Sequence, residues 1–429
     1  METSSESVTF KKQFVSVFLP TMLFETGVGA VTPVIPLTAL HLHANAGIAA
    51  FIVALLGIGQ VVGDIPAGHL AARFGDRTAM IWGAGISLVI LFLAALTPNW
   101  WLFALAIFVL GGVNSIFTLA RQAYLTEITP IERRSISLSM LGGMQRIGSL
   151  IGPFLGGFAM SMLGIWLTKG ADWLPAAYGV AIFLTIISGL VVWAIPELAT
   201  QQKKVAEAKA VRGTSRMILK KNARMFATLG IAIILVGAVR QTSNTALPLW
   251  SAHIGLSASV TSYVYGLSGL LDALLFYPAG RMMDRYGRLW VAVPSMLILG
   301  TSILFIPLTH GITSIAIVSL AMGFGNAIGA GMIMTISADM APIDIRAQFL
   351  AVCRMFGDAG AAGGPLLIAV LAGIGSLGLG ITLLGLCGLA ASAIMGATLE
   401  RYTPHANQRT RLAHGLDKRG LPLKKTEES

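Results

Sequence analysis

The sequence predicts an all-α membrane protein whose twelve transmembrane helices form two parallel six-helix repeats, and three observations carry that prediction. Of 429 residues, 55% are hydrophobic and only 11% charged, a balance outside the range of soluble domains. The stretch Pro278-Ala-Gly-Arg-Met-Met-Asp-Arg-Tyr-Gly-Arg288 repeats Pro66-Ala-Gly-His-Leu-Ala-Ala-Arg-Phe-Gly-Asp76, 212 residues later. The same offset matches Pro36 with Pro248, Gly57 with Gly269, Asn114 with Asn326, Arg134 with Arg346, and Gly152-Pro153 with Gly364-Pro365. The chain is therefore one unit written twice in the same direction. Finally, apolar stretches of about 20 residues or more, long enough to cross a bilayer, recur six times in each copy. None has the alternation of a barrel strand, so each must satisfy its backbone hydrogen bonds as a helix.

The first copy occupies 1–196, with spans near 14–40, 47–71, 77–96, 100–125, 135–164 and 174–196. Glu2, Glu6, Lys11 and Lys12 precede a long first span without a small-residue cleavage site, so that helix is expected to stay in the mature chain. Trp100-Trp101 stands at a span edge, where aromatic rings anchor in the interface. A linker, 197–225, rich in Ala, Lys and Gln, suits a partly helical strap along the headgroups. The second copy, 226–400, has spans near 226–252, 258–281, 288–309, 312–338, 346–373 and 376–399. A tail, 401–429, carries Pro404, Gly415, Gly420 and Pro422 and is expected to be mobile. Cys353 and Cys387 both fall inside spans, which leaves no disulfide framework, and no metal site or cofactor is expected.

The excess of 30 Lys and Arg over 19 Asp and Glu, a net charge of +11, lies in alternate connections. Lys11, Lys12, Arg73, Arg77, Arg133, Arg134, the linker lysines, Arg281, Arg285, Arg288 and Arg346 share one side, and the other holds only Lys169. That asymmetry predicts cytoplasmic termini in a plasma (inner) membrane protein, with the basic loops against anionic lipid; it excludes a nucleic-acid reading of the charge.

Twelve spans in two copies, with Gly280-Arg-Met-Met-Asp284-Arg285-Tyr-Gly287-Arg288 between spans eight and nine, resemble the major facilitator superfamily, whose loop signature this matches in full. The first copy matches at Gly68, Arg73, Gly75 and Arg77 but has Ala72 where an acid is expected. Gly148, Gly152, Pro153, Gly156 and Gly157 of span five resemble a signature of the family's drug:proton antiporter branch, although an arginine early in span four is missing. Physically, Gly280 permits close helix approach, Gly287 a left-handed turn, and the span-five glycines a flat packing face that Pro153 can bend. Asp284 is either a latch meeting a helix N-terminus of the other half or a solvated loop acid.

The resemblance implies a monomeric secondary transporter, not an enzyme, that moves a small-molecule substrate with protons by alternating access. No nucleotide-binding loop of the Gly-x-x-x-x-Gly-Lys-Ser/Thr type occurs. Spans one, four, seven and ten of that family line a cavity, which would place Glu25, Asn114, Arg121, Arg240, Gln241, Asn244 and Asn326 there. Charges inside spans cost about 3 kcal/mol each unless paired or wetted. Glu25 leads as proton carrier, because burial disfavours a charged carboxylate while a nearby arginine favours it; a permanent structural pair with Arg121 or Arg240 is the alternative. Asp272 is the second candidate. Because span five faces eight and span two faces eleven in the family, Asp272 with Arg146 and Asp64 with Arg354 are expected to pair between halves; Arg354 and Asp358, one turn apart, can equally neutralise each other. Export of an amphiphilic, drug-like molecule is the first functional expectation. Proton-coupled uptake of an organic solute, such as an anion held by Arg121 or Arg240, and a non-transporting receptor are the alternatives.

Overall fold

The computed structural model describes residues 14–129, 133–167, 169–194, 222–342 and 345–417. Most of the 197–225 linker, and the tail beyond Asp417, lie outside these residues. Twelve helices among them are long and apolar enough to cross a membrane. They are α1 (Phe14–His41), α2 (Ala46–Phe74), α3 (Asp76–Leu96), α4 (Trp100–Ile128), α5 (Arg134–Leu167) and α6 (Pro175–Trp193) in the first copy. In the second they are α7 (Ala223–His253), α8 (Ala258–Tyr286), α9 (Leu289–Leu308), α10 (Ile312–Met340), α11 (Arg346–Gly373) and α12 (Leu377–Tyr402). A short α13, Gln408–Ala413, follows.

The repeat in sequence is a repeat in packing. In the first half α1 packs on α5 and α6, α2 on α4, and α3 on α4 and α6; the second half repeats every one of these contacts six helices later. One close contact is built from matched residues: a Cβ on Gly111 of α4 would run into the Leu56 carbonyl oxygen, and one on Gly323 of α10 into that of Ser268. Only hydrogen at these positions lets the backbones approach so far.

Both copies extend one helix beyond its apolar run. α2 continues to Phe74 and α8 to Tyr286, so Gly68, Arg73, Gly280, Asp284 and Arg285 are helical and the connections shrink to the residues around Gly75 and Gly287. Those glycines, at φ +88° and +108°, take the backbone conformation that side chains disfavour. The close approach expected at Gly280 does not occur, and Gly68 likewise faces open space. The reason lies in how the halves meet.

The halves touch through α2 against α11 and α5 against α8. A Cβ on Gly47 of α2 would sit 2.8 Å from Gly373 Cα of α11, and one on Gly157 of α5 would sit 2.8 Å from the Tyr263 ring of α8. Both contacts lie at the end remote from the helix starts at Phe14 and Ala223. At that end one apolar core joins the halves, with Ile35 and Val53 from the first and Leu247 and Ile368 from the second. Near the termini each half has its own cluster, one around Phe18, Met80 and Phe117 and another around Phe226, Phe349 and Cys353. The halves are thus closed at the remote end and apart at the end where Gly68 and Gly280 lie.

Candidate functional site

Glu25 sits in the middle of α1 because α5 lets it. Gly148 would place a Cβ 2.8 Å from the Glu25 Cβ, and Gly156 one 2.9 Å from the Ala30 carbonyl oxygen, so the glycine face of α5 lies flat on α1. Gly152 abuts the Thr26 carbonyl in the same row, while Gly157 faces α8 across the halves. Into the space around Glu25 comes Arg121 of α4, wholly buried, whose Nη2 donates to Glu25 Oε1 at 2.7 Å. Gln145 Nε2 of α5 donates to the same oxygen at 3.2 Å. Beneath the guanidinium lies Phe117, with its ring centroid 5.8 Å from Cζ, and that ring stacks on Phe24 at 4.1 Å. The result is a neutral pair in an apolar sleeve, with Arg121 Nε and Nη1 buried and without hydrogen-bond partners.

A second cluster lies between the halves. Arg146 of α5 donates from Nη1 to Asp272 Oδ2 of α8 at 2.5 Å, and its Cζ lies 4.8 Å from the Phe276 ring centroid. Asp272 Oδ1 is buried without a partner. One helix away, Arg240 of α7 donates from Nη1 to the Gly329 carbonyl at 2.7 Å. That carbonyl closes the first half of α10, which breaks after Ile328 and resumes at Met332 through Gly331 in the left-handed conformation. Tyr265 Oη donates to Asn244 Oδ1 at 2.5 Å, while Gln241 is half-buried on α7. Asn114 and Asn326, matched by the repeat, do not bond to each other; each keeps a buried Oδ1 without a partner, and Asn114 lines a void inside the first half with Gly27, Ser87 and Thr185.

On the other flank, Asp64 and Arg354 are not brought together. Ser115 of α4 donates to Asp64 within its own half, while Arg354 Nε lies 3.6 Å from Asp358 Oδ2 one turn along α11. Arg354 and Asp358 are 61% and 44% exposed, as expected where the halves stand apart. Asp284 is also exposed, 3.2 Å from Arg288 Nη1, and among the described residues no ion pair joins it to the other half in this conformation. Arg77 donates to the carbonyls of Val192 and Trp193 at the end of α6, while Arg73 and Arg285 lie over Phe74 and Tyr286. Gln145, Ser115 and Tyr265 are partners that the sequence reading missed. As uncharged polar residues inside spans they could have been flagged, but nothing in their spacing said which charge each would meet.

Two repeated bundles around buried charge, with α10 broken between Ile328 and Met332, define a membrane transporter fold. The chain belongs to the Major Facilitator Superfamily, whose family model matches residues 17–237 and 229–425. This is a family of transporters, not of enzymes. Among curated relatives, the multidrug resistance protein MdtG of Proteus mirabilis (strain HI4320) is 29% identical over 164 residues, 37% of this chain and 40% of that protein. The multidrug resistance protein MdtH of Shigella boydii serotype 4 (strain Sb227) is 22% identical over 329 residues, 75% and 78% of the two chains. The fold is shared with a D-xylose-proton symporter (TM-score 0.69, 14% identity, 96% and 99% coverage). It is shared equally with the nucleoside transporter NupG (TM-score 0.71, 15% identity, 91% and 98% coverage).

Proposed function

We propose that this transporter exports small amphiphilic molecules in exchange for protons, working as a monomer in the plasma membrane with both termini in the cytoplasm. The observation that carries the reading is the Glu25–Arg121–Gln145 cluster, one carboxyl held by two donors from two other helices. Protonation of Glu25 would remove the charge that holds Arg121, and α1 and α4 would be free to shift against each other. The relatives named for multidrug resistance support the exporter direction. The basic loops support the orientation, and through it the reading of this conformation as open to the cytoplasm.

The test is substrate-dependent flux in proteoliposomes under an imposed pH gradient, across a panel of lipophilic dyes and drugs. Counter-directional proton movement supports exchange, co-directional movement an uptake symporter, and no flux across the panel a receptor. Glu25→Gln should keep substrate binding and lose gradient-driven accumulation, because an amide mimics the protonated acid but cannot release a proton. Undiminished accumulation in that variant would transfer the coupling role to Asp272.

A further inference from the structure

The charges inside the membrane do not cancel in one place. Arg121 is matched by Glu25, Arg146 by Asp272 and Arg354 by Asp358. Arg240 has no described carboxylate within ion-pair distance, and its hydrogen bond goes to the neutral carbonyl of Gly329. The Tyr265–Asn244 hydrogen bond holds α7 against α8, the helix that carries Asp272, and the charges of Asp272 and Arg146 act on Arg240 there. Asp272 is already engaged by Arg146, so these three side chains carry one positive charge in excess. A carbonyl offsets only part of the cost of a cation at this depth. Arg146 belongs to the other half of the molecule, which puts this excess charge at the cleft between the halves rather than inside one bundle. Arg240 is half-buried, unlike Arg121, which is sealed at 0% exposure. The offset of 212 residues matches Arg240 with Val28, so the first half has no such cation at that place.

Resting on the reading of the chain as a carrier of small amphiphiles, we propose that Arg240 is the anchor of an anion subsite and that the transported molecules carry an acidic group, such as a carboxylate. The guanidinium fork suits two acceptor oxygens, and the amide of Asn244, one turn along α7, with the Tyr265 hydroxyl bonded to it can complete the recognition. A cationic amphiphile would meet two guanidinium groups and one engaged carboxylate, so this site selects against it.

The test is equilibrium binding to the purified full chain without any gradient, using naphthylacetate, naphthylacetamide and naphthylmethyl-trimethylammonium as probes. The carboxylate should bind about tenfold or more tightly than the amide, with the ammonium weakest, a ratio worth about 1.4 kcal/mol. Arg240→Gln should bring carboxylate and amide to equal affinity, and Arg240→Lys should keep part of the preference. Absence of carboxylate binding, equal binding of acid and amide to the wild type, or a preference that survives Arg240→Gln overturns the proposal. If Arg240→Gln does not fold because Gly329 loses its donor, the wild-type ratio and the lysine variant still decide. Binding without a gradient says nothing of direction or proton coupling, so failure of exchange in proteoliposomes and failure here are separate results.

Discussion

Arg146 and Asp272 show what single residues contribute and how far they could be read. Both stand out in the sequence as charges inside spans, and the family resemblance, which sets span five against span eight, makes them candidates for each other. Their contact is the ion pair found between α5 and α8, 25% and 20% exposed. Removing Asp272 leaves two guanidinium groups without a carboxylate, and removing Arg146 takes away the hydrogen-bonded partner of Asp272, so Arg146→Ala and Asp272→Ala should each lower thermal stability and transport. The double variant should be less impaired than the two losses added together, with a coupling of about 0.5–3 kcal/mol in a double-mutant cycle. Strict additivity would mean that the pair stores no interaction energy. Asp64 and Arg354 looked like the counterpart on the opposite flank. The repeat says otherwise: the offset that relates the halves sends Asp272 to Gln60 and Arg146 to Asp358. Asp64 therefore finds a local hydroxyl and Arg354 a carboxylate on its own helix, because no matched position supplies them with each other.

At the scale of elements the tail departs furthest from expectation. Its glycines and prolines suggested mobility, yet 403–417 is folded onto the connection between α8 and α9. Arg288 N donates to the His405 carbonyl at 3.1 Å and Leu289 N to that of Ala406 at 2.9 Å. Arg411 of α13 is 1% exposed, with Nη1 donating to the Arg285 carbonyl at 3.3 Å. Gly287 makes the docking possible, since a Cβ there would lie 2.7 Å from Asn407 Cα. Arg288 is held in turn by Asp339 of α10 at 2.8 Å. Burial lowers the His405 imidazole below its ordinary 6.5; Asp339 opposes this, and Arg288 and Arg411 reinforce it. A docked tail therefore binds a proton less readily than a free one. Docking is at full strength above pH 6.5 and weakens as pH falls through that value toward the lower docked one. Spin labels on Trp290 and Leu412, both exposed, should report one short distance at pH 8 and an added longer population at about pH 5.5. The change should vanish in His405→Gln, and Arg411→Ala should loosen the tail at every pH. A distance that ignores pH would remove His405 from this role.

For the whole molecule the question is what holds one end shut. Asp172, in the connection between α5 and α6, accepts a hydrogen bond from Ser259 N at 2.7 Å. Ser259 is in the first turn of α8, so a carboxylate from one half satisfies an otherwise orphan N–H of the other and meets the positive end of its helix. This contact exists only while the remote ends are together. Asp172→Ala should weaken that closure by about 1 kcal/mol, roughly fivefold in the equilibrium between access states, while Asp172→Asn keeps most of the cap. Label-to-label distances between Leu96 of α3 and Ile312 of α10, both exposed, measure the shift. Unchanged distance distributions in Asp172→Ala would show that apolar packing of α2 on α11 and α5 on α8 suffices.

The sequence by itself determined the number of spans, their pairing into two copies, the class of protein and the set of charged residues worth asking about. These follow from periodic and local constraints: a bilayer demands about 20 apolar residues per span, and a duplicated sequence repeats its packing. Tertiary structure decided which charge meets which partner. Side-chain partners come from helices far apart in the chain, and a translation of half a turn or a separated end exchanges one partner for another. That is why the sequence offers Glu25 either Arg121 or Arg240 and the packing selects Arg121, and why Arg240 without a described carboxylate and Asp172 across the halves have no signal in the linear chain.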